Sequence, residues 1–388
     1  MVPEGWKIRE LGDLAKFTSG GTPSKSNTAY WAGSHPWISG KDLKQHYLAS
    51  SIDMLSDEGF ESTNKAPAGS TLILVRGMTL LKDFPVGFAT RPLAFNQDIK
   101  ALIPEKNVDG LYLSFLLAGN KEKIRQLVTT AGHGTGRLET DSLKSYPLLI
   151  PPQLEQVKIA KILSTWDKAI TTTEQLLANS RSQKQALMQQ LLTGKKRLFD
   201  DNGKRFEEEW SYTKFNNLFK VKNKKSAQVK STNYQESGST PVVDQGKQLI
   251  AGYCNNDDTY SDIPAIVFGD HTRCLKWIDF EFCPGADGTQ VLDTKDGFHK
   301  KFGYYLLCFK EIPNLGYSRH MRELKESEFR ATLDTKEQQK IARVLSVADR
   351  EIELLEKKLD HLKTEKKALM QQLLTGKRRV KVDKSEVA

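Results

Sequence analysis

Cysteine is scarce in this chain: Cys254, Cys274, Cys283 and Cys308 are the only four in 388 residues, all in the second half and none at a short paired spacing. That excludes a disulfide framework and a zinc knuckle, and it reads as reduced thiols. No run of 18 apolar residues is present, so no membrane-spanning helix and no membrane partner are expected. The opening Met1-Val2-Pro3-Glu4-Gly5-Trp6 lacks the basic start and apolar core of a signal peptide, which points to a cytoplasmic protein. A phosphate-binding loop, an Asn-Pro-Pro-Tyr methyltransferase motif and a Ser–His–Asp or Cys–His pattern are all missing. So is a strong charge of one sign. Residues 1–150 carry net +2 and residues 209–333 net +1, leaving most of the overall +10 to the segments after each. Any nucleic-acid binding must therefore use local clusters and not a bulk positive field.

What the chain does have is a repeat. Glu155–Arg197 recurs without a gap at Glu337–Arg379, an offset of 182 residues, with 23 of 43 positions identical. The block Ala186 through Lys195 is matched unbroken by Ala368 through Lys377. A period this long is not a solenoid unit; it makes the chain two copies of one module, each ending in the same helix. Within the repeat a 4-3 alternation selects Ile159, Leu163, Trp166, Ile170, Thr173, Leu177, Ser180, Lys184, Leu187 and Leu191. The second copy holds Ile341, Leu345, Ala348, Ile352, Leu355, Leu359, Leu362, Lys366, Leu369 and Leu373. A 3.5-residue apolar period is a coiled-coil seam, so the two helices are expected to pair with each other, antiparallel. The other arrangement is each helix packed on its own module. Thr173, Ser180, Lys184 and Lys366 are polar interruptions of a kind that fixes register. Pro151-Pro152 marks the first helix start, Thr335 with Gln338 reads as a capping box before the second, and Gly194 and Gly376 mark the stops. Each helix should span roughly 50 Å at about 1.5 Å per residue.

The segments before the helices read as α+β modules. Ser70–Gly77 and Ala265–Asp270 look like buried strands ending in glycine and a charged residue, while Leu111–Leu117 and Phe302–Phe309 look like helices behind a sheet. The expected organisation is a first module over 1–150, helix and linker over 151–208, a second module over 209–333, and helix with basic tail over 334–388. Little beyond the order of elements relates the two modules, apart from the shared openings Gly5-Trp6 and Glu209-Trp210. Constant helices joined to variable modules fit a scaffold carrying two recognition surfaces.

Three sets of motifs occur together in the chain. The first is the helix ending Leu-Met-Gln-Gln-Leu-Leu-Thr-Gly-Lys. The second is the first module's Gly20-Gly21-Thr22-Pro23, Tyr30-Trp31-Ala32-Gly33, Pro36-Trp37-Ile38 and Ile150-Pro151-Pro152-Gln153. The third is the second module's Pro241-Val242-Val243-Asp244-Gln245-Gly246-Lys247, Phe268-Gly269-Asp270-His271-Thr272-Arg273 and Gly285-Ala286-Asp287-Gly288-Thr289. On these the whole chain resembles the specificity subunits of type I restriction–modification systems. The second module departs by reaching its helix through Leu333-Asp334-Thr335, without paired prolines. The resemblance implies two target-recognition domains, each reading half of a split, asymmetric site on double-stranded DNA, and two long shared helices forming an intramolecular antiparallel coiled coil between them. It implies two methyltransferase subunits as partners, with restriction–translocase subunits when cleavage occurs. It also implies that this chain binds no cofactor, S-adenosylmethionine belonging to the methyltransferase and ATP and Mg to the restriction partner.

The chemistry of the loops nominates DNA-contacting residues. Arg273 and Lys276, beside Asp270, His271 and Thr272, follow a strand and offer donors to guanine or phosphate; an ordinary surface ion pair is the alternative. Tyr317, Ser318, Arg319, His320 and Arg322 combine donors with a ring. The glycine loop around His133, Thr135 and Arg137 could cradle a phosphate with its amides, or be a plain loop. Gly20 and Thr22, Lys41 and Arg76 are further candidates, and Lys224 sits in a run that reads as a solvated turn touching phosphate. Two other functions compete. One is a metal-dependent nuclease built from Asp270, His271 and Asp287, or from Asp293 and Lys295, whose spacing matches no nuclease pattern. The other is a coiled-coil adaptor without DNA contact, which leaves the loop motifs unexplained.

Overall fold

The computed structural model describes residues 2–131, 134–314, 316 and 318–382. It divides into two compact units, residues 1–173 with 358–388 and residues 174–357, and each takes part of both long helices.

In the first unit the strand Lys7–Glu10 pairs antiparallel with Pro147–Ile150, so the module's chain enters and leaves side by side, next to the first long helix. A five-stranded sheet follows in the order Ala15–Ser19, Ile99–Pro104, Thr71–Leu74, Val86–Ala89, Tyr47–Leu48. Thr71–Leu74 is buried at every residue because the helix Gly110–Gly119 covers one face; Tyr112 through Leu117 are all buried. A second sheet runs Asp53–Leu55, Trp31–Ile38, Leu93–Phe95, Lys65–Ala66, with the middle pair parallel. The stretch expected as one strand, Ser70–Gly77, splits in two. Thr71–Leu74 stays in the five-stranded sheet, while Arg76–Gly77 joins a separate sheet with Thr129–Ala131 and Thr135–Arg137. Val75 donates its N–H to the Asp98 carbonyl at that break.

The second unit repeats the plan with fewer strands. Ser211–Lys214 pairs antiparallel with Glu328–Ala331, closing the module. Phe219–Val221, Thr289–Thr294, Ala265–Gly269 and Leu275–Ile278 form a four-stranded sheet backed by the helix Lys300–Phe309. Gly252–Cys254, Thr240–Val243 and Cys283–Pro284 form a smaller one, again with one parallel pair.

The long helices run Gln153–Leu191 and Thr335–Leu373, 39 residues each, or roughly 58 Å at about 1.5 Å per residue. In the first unit Ile159 and Leu163 join Leu373 and Leu374 in the module's core. In the second, Leu191 and Leu192 join Ile341 and Leu345. Full burial of one such side chain contributes about 2 kcal/mol. Leu177 is buried as well, while Trp166, Ile170, Leu187, Ala348, Ile352, Leu355, Leu359, Leu362 and Leu369 are half-buried. The pairing is antiparallel within each unit: Glu155 with Arg379 and Asp167 with Lys366 in the first, Lys184 with Asp349 and Arg197 with Glu337 in the second.

These contacts turn the polar interruptions into paired groups. Thr173 bonds back to the Ala169 carbonyl at 2.8 Å, and Ser180 donates to Glu351 at 3.2 Å. Lys366 pairs with Asp167, which also accepts the Tyr47 hydroxyl at 3.2 Å. Lys184 pairs with Asp349, which accepts the Tyr305 hydroxyl at 2.7 Å. At the helix ends Glu155 accepts from Arg379 and from the Trp6 indole at 3.1 Å, and Glu337 accepts from Arg197 and from the Trp210 indole at 3.2 Å. Gly194 and Gly376 both stop their helices at φ +68. A Cβ there would lie 2.9 Å from Trp210 or 2.6 Å from Pro3, so backbone and packing both require glycine. The capping box expected at Thr335 and Gln338 is not formed. Asp334 is the cap, its carboxylate accepting from Lys336 and Glu337 N–H, and Gln338 instead bridges His299 N–H and the Thr332 carbonyl. Gln156, its repeat mate, bridges Asp109 N–H and the Pro151 carbonyl in the same way.

Candidate nucleic-acid interface

In the second unit four loops meet around Gln245, just past the strand Thr240–Val243. Its side-chain oxygen accepts His271 N–H at 3.1 Å, and its carbonyl accepts the Thr272 hydroxyl. The side chain occupies the space over Gly288, where φ is +60 and a Cβ would lie 2.5 Å from the Gln245 oxygen, so glycine lets the loops close without backbone strain or a shift of Gln245. Asp270 is 3% exposed and ties the Gly288 loop to the one that precedes Met321. Its N–H donates to the Gly288 carbonyl at 2.7 Å, its carboxylate accepts Met321 N–H at 2.6 Å, and its carbonyl accepts His320 N–H at 2.9 Å. His271 Nδ1 lies 3.2 Å from the Ser318 carbonyl.

This network sorts the sequence candidates. Asp270 and His320 are buried and hold the frame; they present nothing to a ligand. Lys276 is buried too, donates to the Asp244 carbonyl at 2.7 Å, and has its ammonium pKa drawn down by burial. Arg273 takes a left-handed φ of +61 and spends one guanidinium nitrogen on the Ile312 carbonyl at 2.9 Å. Lys224 is paired with Asp258. Ser318 has its hydroxyl buried with no hydrogen-bond partner. Arg319, Arg322 (with Glu326 at 3.0 Å) and Lys247 are exposed. Lys247 and Gln245 lie in the motif over residues 241–247, where no charge cluster or glycine loop marks them as contacts. Tyr317 lies outside the described residues, as does His133 in the first unit.

In the first unit the Gly20–Thr22 loop is clamped to the turn after Leu93–Phe95. Gly21 N–H donates to the Phe95 carbonyl at 2.9 Å, and the Thr22 hydroxyl donates to Gln97 at 2.7 Å. Lys41 is exposed on a turn that Asp42 closes by accepting Ser39 N–H at 2.9 Å. The third sheet brings Arg76 directly opposite Arg137, with Gly77 opposite Gly136 and Thr135 beside them. Both arginines are exposed, and Arg137 meets Glu139 at 2.9 Å. Like charges facing across a ladder are unfavourable unless an anion joins them. Sixty-one residues separate the pair, so no local pattern announces it.

Asp293, proposed in the nuclease alternative, is tied to Lys222 at 3.1 Å and Lys300 at 2.9 Å. Burial opposes its ionisation, but Lys300 and Lys222 outweigh it and hold the carboxyl below its usual range. Among the described residues no three His, Cys, Asp or Glu side chains lie together to hold a metal ion. No described helix is long and apolar enough to cross a membrane.

The model of the type I restriction modification DNA specificity domain matches residues 3–179 and 207–364. Similar curated proteins include a type I restriction enzyme specificity subunit of Escherichia coli, 34% identical over 165 residues, 42% of this chain and 40% of that one. Another, from Methanocaldococcus jannaschii, is 24% identical over 415 residues, covering 98% of this chain and 94% of the relative. The chain thus spans well under half of the Escherichia coli relative it matches. A crystal structure of a type I restriction-modification S subunit from M. genitalium superposes with a TM-score of 0.67 at 15% identity, over 98% of this chain and 97% of that one, which shows the shared fold.

Proposed function

The chain belongs to the type I restriction modification DNA specificity family, and from that premise we propose that it is the non-catalytic reader of a bipartite, asymmetric DNA site. Each module reads one half-site, and the paired helices set the spacer and dock methyltransferase subunits. S-adenosylmethionine then binds the methyltransferase partner, and ATP and Mg serve a restriction subunit where one is present; the assembly works in the cytoplasm.

One observation carries the reading: a helix base repeated without a gap at an offset of 182, identical at 23 of 43 positions, carries two modules whose exposed loop residues are arranged differently. Arg76 and Arg137 confront each other in the first module, whereas the second has Lys247 exposed two residues after Gln245, and Arg319 and Arg322 exposed on either side of His320 in sequence. Arginine donors on exposed loops suit phosphate oxygens and the O6/N7 edge of guanine, and two unlike sets demand two unlike half-sites. Half-sites on one face of B-DNA lie about 34–36 Å apart, a span that helices of roughly 58 Å can serve. A hydroxyl-radical footprint of this chain with its methyltransferase subunits should show two protected segments with an accessible gap. One continuous footprint, or none, would refute the reading.

A further inference from the structure

Met78 is 72% exposed at the start of the short turn Met78–Leu81, one residue beyond the Arg76–Gly77 strand. The turn is anchored from below, since Leu80 is fully buried and Lys82 N–H closes onto the Thr79 carbonyl at 2.9 Å. Met78 is therefore held outward by a fixed backbone and is not a loose end. Exposed cations flank it: Arg76 stands opposite Arg137, which also meets Glu139 at 2.9 Å, on the adjoining sheet, and Lys82 is exposed four residues on. An exposed apolar group held next to exposed arginines has an unusual combination of needs. It wants an apolar surface embedded in a polyanion, and duplex DNA offers that combination. Arg76–Gly77 is the two-residue edge strand of its three-stranded sheet, and an edge this short can approach the floor of the major groove, which is about 12 Å wide. In that groove the apolar feature of a base edge is the thymine 5-methyl group. A wedge between bases would require the minor groove and a bend.

We infer that Met78 is a specificity-determining residue that reads a thymine 5-methyl group in the half-site of the first module, while Arg76 and Arg137 hold the flanking phosphate or guanine. This rests on the DNA-reading function proposed above.

The test uses the complex of this chain with its methyltransferase subunits and a duplex carrying the mapped target. Each thymine of the first half-site is replaced in turn by uracil, which lacks only the methyl group. At one position the replacement should weaken binding about fourfold, the value of one buried carbon. Met78→Ala should cost a similar factor, Met78→Leu should restore most of it, and Met78→Ala should be indifferent to uracil at that position. Binding that ignores Met78→Ala, or a Met78→Ala loss with every uracil duplex still normal, overturns the inference. Arg76→Ala separates the levels: if it weakens binding while Met78 is silent, the DNA-reading face stands and only the methyl contact falls. If Arg76→Ala is silent as well, the face itself is misassigned.

Discussion

The two units solve one packing problem with different parts. Both seat a Lys–Asp pair between the long helices and satisfy the aspartate with a tyrosine hydroxyl. In the first unit the hydroxyl comes from Tyr47 on a sheet strand, in the second from Tyr305 on the helix behind the sheet. The aromatic face under the lysine differs as well, Phe115 below Lys366 and Tyr305 itself below Lys184. The helix partners are repeat mates, Asp167 with Asp349 and Lys366 with Lys184, but the module partners are not. The lesson is that the helix base constrains chemistry at fixed positions, and the modules are free to deliver it from any element that reaches. That freedom is what lets the loops above differ completely.

The comparison can be pressed where the base is most alike. Glu155 and Glu337 are almost fully buried beneath one arginine and one tryptophan each. Removing either carboxylate by Glu155→Ala or Glu337→Ala should destabilise its own unit by about 2 to 3 kcal/mol, because the buried Trp6 or Trp210 indole N–H loses its acceptor. Hydrogen exchange resolved by unit measures this; a loss in one unit only would show that the repeated bases are not equivalent.

The next effect separates the units. His46 stacks on Phe115 at 4.7 Å and contacts the Ser114 hydroxyl at 3.1 Å. Burial pushes its pKa down to about 4, with Asp167 opposing and Lys366 assisting. The unfolded chain therefore takes up the proton first, so stability is present above pH 6.5 and drains as pH falls from 6.5 towards 4, by on the order of 2 kcal/mol. His299, also held low by burial, gives the second unit a dependence of the same sign. Exchange rates between pH 7 and 4.5 should show that His46→Gln removes the effect in the first unit and leaves it in the second.

Function should divide more sharply than stability. Arg76→Ala should weaken or relax only the half-site read by the first module, and Arg319→Ala only the other, each about tenfold, or ~1.4 kcal/mol. Binding to duplexes mutated in one half-site at a time gives the answer, and a variant that weakens both halves would deny the division of labour. The smallest contrast is Tyr47→Phe against Tyr305→Phe. Each removes one hydroxyl from a partly exposed aspartate, at a cost of about 0.5 to 1 kcal/mol in its own unit.

Much of the base was legible in the sequence because helical order is local. The seam from Ile159 to Leu191 and its mate from Ile341 to Leu373 follow a fixed period, and Gly194 and Gly376 announce their stops. Lys184 and Lys366 read only as flaws, because their partners Asp349 and Asp167 lie on the other helix. The start at Asp334 was read one residue late, since a threonine and glutamine at the right spacing imitated a capping box. The loop faces were far less legible. Gln245 acts through contacts to residues 26 and 27 positions away, and Arg76 meets Arg137 across two sheets' worth of chain. Charge pattern nominated Lys276 and Asp270 equally with Arg319, yet burial makes the first two framework and leaves the last exposed. Burial of a short polar loop is set by tertiary packing, which no local pattern encodes.

The most direct test of two unlike readers on one repeated base is methylation mapping by single-molecule sequencing. The DNA would come from cells expressing this chain with its methyltransferase subunit. The account predicts one new split motif, its halves different in sequence, with one methylated base on each strand. A continuous motif, or a split one with identical halves, would contradict it.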